Sequence, residues 1–258
     1  MTPRSTAYGW LMLAGIGLSI VFWSRIARRD SRLVTIYIAA LCGAFLGAKL
    51  VYIAAEGWLH FGAPDMWLQL ATGKSILGAL LGGYAAVECA KHATGYTQAT
   101  GDWFAIIAPV GIAVGRVGCL LHGCCLGEKC EPSWFTLRDA SGVDRWPAVP
   151  VEIAFNVAFL GFVALRQSGS GLSAAMEREV GTARAATPGR GAEAPPTLLA
   201  GQHFHLYLIA YGLFRFTHEF ARATPRVAGI FSGYQIAALS VAALGFIGFA
   251  RRRSSANQ

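Results

Sequence analysis

Apolar residues run in seven stretches of membrane length, at roughly Thr6–Trp23, Val34–Ala55, Leu68–Ala90, Asp102–Leu121, Ala148–Leu165, His203–Ala221 and Ala228–Ala250. A helix rising about 1.5 Å per residue needs roughly 20 residues to cross a hydrocarbon core of about 30 Å. The pattern therefore predicts an all-α integral membrane protein with seven transmembrane helices. The first stretch follows Arg4 and resembles the apolar core of a signal peptide. Six further spans and the lack of a persuasive small-residue cleavage site predict a retained helix instead. The spans leave no room for a separate soluble domain, so residues 1–258 read as one polytopic domain. Two longer polar segments interrupt it. Segment 122–147 is rich in cysteine and tryptophan, and segment 167–202, with Ser168-Gly-Ser-Gly171 and an Ala/Gly/Pro-rich continuation, predicts a flexible linker.

Composition agrees with the pattern. Of the 258 residues 54% are hydrophobic and 14% charged, and the mean hydropathy is +0.45. Soluble domains carry about 25% charged residues. The net charge of +8 raises the question of nucleic acid, but its distribution answers differently. Arg25, Arg28, Arg29 and Arg32 follow the first span, and Arg251, Arg252 and Arg253 follow the last. Basic residues beside span ends are topology signals, and their bias predicts an outside N-terminus and a cytoplasmic C-terminus. Segment 122–147 then lies in the periplasm and segment 167–202 in the cytoplasm of a multi-pass protein of a bacterial inner membrane. Nucleic acid is not an expected partner.

Charges inside the spans narrow the chemistry. An Arg or Lys near a helix centre costs about 2.5–3.5 kcal/mol on insertion scales. Lys49, Lys74, Glu88, Arg116, Glu152, Arg215 and Glu219 all fall in or near spans. In the sixth span Tyr211, Arg215, His218, Glu219 and Arg222 sit at offsets 0, 4, 7, 8 and 11, which is one helical face. Such a face cannot point at lipid tails. It reads either as an ion pair fixing helix packing or as the wall of a cavity for a charged head group. Arg116 is flanked by Gly115 and Gly118, which let backbone approach closely, and its guanidinium suits bidentate phosphate recognition. The residues alone point to a phospholipid site without naming a reaction.

The same residues resemble the prolipoprotein diacylglyceryl transferases over nearly the whole chain. Tyr8-Gly9 resembles that family's first-span Tyr-Gly, and Gly43-Ala-Phe-Leu-Gly-Ala-Lys-Leu-Val-Tyr52 resembles its second-span motif, with Lys49 where Arg is usual. Gly115-Arg-Val-Gly-Cys-Leu-Leu-His-Gly-Cys-Cys-Leu-Gly127 resembles the signature Gly-Arg-x-Gly-Asn-x-x-Asn-Gly-Glu-x-x-Gly. Pro147 and Glu152 match the next Pro and Glu, and Tyr211-Gly-Leu-Phe-Arg-Phe-Thr-His-Glu-Phe-Ala-Arg222 resembles Tyr-Gly-x-x-Arg-x-x-x-Glu-x-x-Arg.

The resemblance implies transfer of a diacylglyceryl group from phosphatidylglycerol to the lipobox cysteine thiol of a prolipoprotein. A thioether forms and glycerol phosphate leaves, and no cofactor is implied. The expected partners are an anionic phospholipid and a prolipoprotein signal peptide. Arg116 and Arg215 would steady the departing phosphate, with Glu219 and Tyr211 orienting Arg215 and the head group. Tyr8, Lys49, Gly78, Gly115, Gly118, Gly127, Glu152 and Arg222 would complete the head-group site. The departures are Leu77-Gly78-Ala79 for the family's His-Gly-Gly, Cys119 and His122 for two Asn, Cys124 for Glu, and Val151 for Tyr. The histidine often assigned as the base is thus absent, and His122 and His218 are the candidate replacements.

Cys42 and Cys89 lie in spans and read as small apolar residues. Cys119, Cys124, Cys125 and Cys130 would face an oxidising compartment, where disulfides persist, and one or two bridges among them are expected. A metal site on Cys119, His122, Cys124 and Cys130 is a weaker alternative, because their spacing is not a standard zinc pattern. Two other functions remain open: a lipid- or lipoprotein-binding relative without catalysis, and a membrane thiol–disulfide protein on the same scaffold.

Overall fold

Gly43 and Gly47 face Gly78 and Gly82, and a Cβ on any of the four would collide with backbone or side-chain atoms of the other helix. Small residues at matched positions let two membrane helices touch along their backbones, and this contact organises the first half of the chain. The computed structural model describes residues 3–27, 30–181, 198 and 201–256. Among them are eight α-helices: α1 (Pro3–Ala27), α2 (Arg32–Ala55), α3 (Met66–Thr72), α4 (Ile76–Thr94), α5 (Gly101–His122), α6 (Ala148–Gly181), α7 (Gln202–His218) and α8 (Gly233–Ala256). Helix α2 lies along α4 and α7 along α8, while α5 packs against α1, α6 and α7. The second pair closes on small residues too: Gly212 abuts the backbone of Ala238 and Ala242, and Gly245 that of His205 and Ile209.

The architecture is that of an integral membrane protein. Among the described residues four helices are long and apolar enough to cross a bilayer, and α3 with α4 supplies a fifth when the bent pair is taken as one span. Leu46, Leu50, Phe45, Phe246 and Leu165 stand largely exposed on the outer faces of their helices, which only a lipid solvent rewards. Inside, an aromatic stack of Phe159, Tyr207, Tyr211 and Phe214 fills the space between α6 and α7.

Three elements depart from the pattern. The expected span Leu68–Ala90 is broken: α3 and α4 meet at 55° across residues 73–75. Lys49 of α2 reaches the break, donating from Nζ to the carbonyls of Leu70 (2.7 Å), Ala71 and Gly73 (2.9 Å). It satisfies the carbonyls that a terminating helix leaves unpaired, while Ser75 Oγ accepts from the Gly78 amide at the start of α4. Helix α6 continues to Gly181, past residue 167 where the flexible linker was expected to begin; apart from Leu198, residues 182–200 of that linker lie outside the described residues. The sixth apolar stretch ends its α-helix at His218 and turns as a 3-10 helix through Glu219–Ala221.

The connections between residues 56–75, 123–147 and 219–232 gather at one end. Tyr234 donates to Glu56 (2.8 Å), the Glu128 amide to Ala221 (2.9 Å), and Gly127 pairs with Arg222 as an isolated antiparallel bridge. Segment 122–147 is ordered by a two-stranded hairpin, β1 (Leu137–Arg138) with β2 (Asp144–Arg145). At the far end Asp102 accepts from the Gly201 amide (2.8 Å) and meets His203 Nδ1 at 2.7 Å.

Candidate active site

The helix ends that meet at the hairpin side carry the charges singled out in the sequence. Glu152, in the first turns of α6, is fully buried. Its Oε2 lies 2.9 Å from Arg116 Nε on α5 and 3.8 Å from Arg222 Nη1, and its Oε1 accepts from Tyr211 Oη (2.7 Å) on α7. Below it Asn156 donates to the Glu152 carbonyl (2.8 Å) and accepts from Tyr207 Oη (2.7 Å). Glu219 forms the second anionic centre: its Oε2 is 2.7 Å from Arg215 Nη2 and 3.7 Å from Arg222 Nε, and its Oε1 accepts from Thr224 Oγ1 (2.8 Å). Arg116, Arg215 and Arg222 are therefore held by two carboxylates, leaving one net positive charge among these five groups.

The three arginines line one chamber of about 1130 Å³, together with Glu219, Thr224, His122, Cys119, Cys124 and Cys125. Ala44, Ala48, Leu80, Phe104 and Ile112 line its middle, and Glu88, Thr100, His205 and Arg252 its far end. Arg215 is 5% exposed, and its Nε and Nη1 have no hydrogen-bond partner among the described residues. A buried donor left unpaired costs about 1–3 kcal/mol. These two atoms lie behind the wall, while three guanidinium side chains lining one chamber suit the oxygens of a phosphate.

The sequence brought most of this set together but assigned some positions otherwise. Arg116, Arg215, Arg222, Glu219, Gly115 and His122 line the chamber, and Tyr211 and Glu152 stand behind it as the support of the arginines. Lys49, expected at the head group, is instead the tie that holds the break before α4. Gly78 is a packing position between α4 and α2, and Gly118 is buried within α5 without lining the chamber. Gly127 lies under the Trp146 carbonyl, where a Cβ would clash. His218, proposed as a replacement base, has Nε2 engaged by Trp146 Nε1–H (3.3 Å) and stacks on Phe214. The side chain of Tyr8 lies outside the described residues. Leu77, at the position of the family's histidine, lines the chamber as a neutral core residue. Glu56, Tyr234 and Thr224 were missed; all lie at or beyond span ends, where a polar residue carries no signal.

The cysteines correct a further expectation. All six are free thiols. Cys130 is drawn away from the others because its amide donates to Asp144 in the hairpin (3.1 Å). Cys119, Cys124 and Cys125 converge, their Sγ atoms all within 4.8 Å of one another. The cause is local. Gly123 ends α5 in the left-handed conformation (φ 74°), the Cys124 amide folds back to the Cys119 carbonyl (3.1 Å), and Cys125 follows at φ 60°, a region non-glycine residues seldom occupy.

The family model for prolipoprotein diacylglyceryl transferase matches residues 4–251. The chain belongs to that family. Among its relatives, the phosphatidylglycerol–prolipoprotein diacylglyceryl transferase of Clostridium tetani is 25% identical over 238 residues, covering 85% of this chain and 81% of that protein. The protein of the same name from Pseudoalteromonas atlantica is 25% identical over 225 residues, 86% of this chain and 69% of that one. That of Dehalococcoides mccartyi is 29% identical over 171 residues, 60% of this chain, and the match spans 64% of that relative's length.

Proposed function

We propose that this chain is a phosphatidylglycerol–prolipoprotein diacylglyceryl transferase of the bacterial inner membrane. In this reading it crosses the bilayer seven times, with the N-terminus outside, α3 and α4 together as one broken span, and α1 and α7 among the crossings. The arginine end of the chamber then faces the periplasmic leaflet, where a lipobox thiol arrives. The observation that carries the reading is that three arginines from separate elements, Arg116, Arg215 and Arg222, line one chamber with an apolar middle. The lipid phosphate binds at the arginine end and the apolar middle takes the acyl chains. As the acceptor sulfur attacks the terminal glycerol carbon, the carbon–oxygen bond to phosphate breaks and charge grows on the departing glycerol phosphate. Preorganised guanidinium groups stabilise that growing charge more than the ground state, which is how they accelerate the step. Glu152 and Tyr211 hold Arg116 and Arg222 in place and touch no substrate.

The test is complementation of a strain depleted of its own diacylglyceryl transferase, together with release of glycerol phosphate from phosphatidylglycerol by the purified protein. Rescue is expected from the wild type and not from Arg116→Ala or Arg215→Ala. Rescue that survives both substitutions would count decisively against the site. Leu77, a buried alkyl group where a base is expected, favours a second reading, a lipid-binding relative without turnover. Such a protein binds anionic lipid and releases no glycerol phosphate.

A further inference from the structure

The chamber's three converging thiols have no part in the phosphate site, yet they stand against it. Cys119 Sγ is 4.0 Å from Arg116 Nη1, and Cys124 and Cys125 line the chamber beside it, their sulfurs 3.7 Å apart. Buried cysteines that serve only as packing residues lie among apolar groups; these three face one another beside a guanidinium. We propose that Cys119, Cys124 and Cys125 are the thiolate ligands of a zinc-class d10 dication whose fourth position opens on the chamber and takes the acceptor thiol. The proposal rests on the transferase reading and deepens it by assigning the activation of the nucleophile.

Geometry, donor type and charge agree. Three sulfurs at about 2.3 Å from a zinc ion lie about 3.8–4.0 Å from one another in tetrahedral to trigonal arrangements. The 3.7 Å between Cys124 and Cys125 fits, and the other two separations, both within 4.8 Å, must close on binding. Thiolates select soft and borderline cations over magnesium or calcium. Three protein ligands with one open position is the composition of a reactive zinc site rather than a closed structural one. Cys130 stands apart, so the cluster does not become a four-cysteine site. The five charged groups nearby carry one net positive charge. Three thiolates about a dication carry one net negative charge and cancel it, whereas a monovalent cation would overshoot.

The same arrangement answers the missing histidine. A thiol that coordinates such an ion is deprotonated outright, and thiolate is the nucleophile the transfer requires. Binding the acceptor as fourth ligand releases its proton to solvent. The sulfur then forms its bond to the terminal glycerol carbon while the carbon–oxygen bond breaks, and the bonding pair leaves with glycerol phosphate toward Arg116 and Arg222. The product thioether is neutral and a weak ligand, so it departs and reopens the position.

The experiment uses the full chain purified in detergent, with Zn2+, Cd2+ and Co2+ as probes. Metal analysis is expected to find one zinc per chain, and cadmium exchange a thiolate-to-metal charge-transfer band. Both are lost in Cys119→Ser, Cys124→Ser and Cys125→Ser and kept in Cys42→Ser and Cys89→Ser. A lipobox peptide is expected to alter the cobalt spectrum, while the same peptide with serine for cysteine leaves it unchanged. Thiol titration of the wild type covers the case of misfolded variants: six reactive thiols without metal and three fewer with zinc are expected. Absence of stoichiometric metal, or four thiols in place of six, overturns the site. Metal binding with no spectral response to the peptide overturns the fourth-ligand role, as does full transfer by chelator-stripped protein. A cobalt spectrum that responds while no glycerol phosphate is released leaves the metal site standing and refutes the transferase reading.

Discussion

Replacing Glu152 by glutamine tests the centre of the charge network with almost no change of shape. The amide oxygen still accepts from Tyr211, while the charge facing Arg116 at 2.9 Å and Arg222 at 3.8 Å is gone. At an effective dielectric constant near 20 those two attractions are about 6 and about 4 kcal/mol before desolvation is counted. Removing one partner of a buried pair costs less than the gross figure, about 3–5 kcal/mol, because the stranded charges relax. Here the strain is sharpened, since three arginines would face only Glu219. For a chain of this size that loss lowers the thermal midpoint by roughly 6–20 °C. Transfer should fall as well, because two guanidinium groups lose the anchor that preorganises them. The measurement is a detergent-solubilised thermal scan beside glycerol phosphate release, with Arg116→Met and the double variant completing a cycle. Residues in direct contact couple by about 0.5–3 kcal/mol in such cycles. A Glu152→Gln protein that melts and turns over like wild type, with additive effects in the double variant, would refute the hub.

Arg215→Lys keeps the charge but loses the fork, and transfer should drop roughly 10²–10³-fold, the range for removing one transition-state donor; near-normal turnover in the same assay would show that Arg215 does not steady the phosphate. Gly47→Val forces β-branched bulk into the Gly78 and Gly82 backbone contact and should abolish folded protein by size-exclusion chromatography, whereas Gly111→Ala, with open space at its Cβ, should not. In the hairpin, Arg145 Nε (2.6 Å) and the amides of Ser141 and Val143 hold the Asp139 carboxylate below its ordinary range. A depressed native value means that the contribution is fully present above the unfolded value near pH 3.9 and is lost as pH falls through the native one. Amide exchange at Val143 should therefore accelerate selectively in strong acid, and Asp139→Asn should show fast exchange at neutral pH.

What could be read from the chain alone follows from which interactions are local. Arg215 and Glu219 are four residues apart across the end of α7, so their 2.7 Å pairing is written in the spacing. Tyr211 shares that face, and an arginine between glycines in an apolar run announced Arg116. Glu152 was read as one more head-group residue because nothing in α6 reveals that two arginines and a tyrosine from α5, α7 and the turn after α7 converge on it. The break before α4 was missed for a related reason: the apolar runs on either side of Gly73-Lys74-Ser75 add up to the length of one span, and the group that satisfies the freed carbonyls is Lys49 of another helix. Lys49 was assigned to the head group through the family's second-span motif, and nothing in the sequence of α2 reveals the carbonyls of Leu70 and Gly73 that it meets. The thiol cluster depended on two left-handed residues, Gly123 and Cys125, of which only the glycine leaves a trace in sequence.

The departures on two helices bear on each other. Leu77 on α4 and Cys119, Cys124 and Cys125 at the end of α5 line the same chamber. A side chain that removes a base would leave the acceptor thiol protonated at neutral pH, since a free thiol's value lies near 8.5. Thiolate ligands around a dication remove the need for that base, and histidine and cysteines are then alternative solutions to one proton transfer. The substitutions should consequently be exchangeable as a set but not singly. A protein carrying Leu77→His with Cys119→Asn and Cys124→Glu is expected to release glycerol phosphate without zinc, with a rate that rises as the new imidazole loses its proton. The Cys119→Asn and Cys124→Glu pair alone is expected to be inactive with or without metal, although it binds phosphatidylglycerol vesicles. If Leu77→His makes no difference in that background, then Leu77 and the cysteines do not share a task, and the nucleophile is activated elsewhere in the chamber.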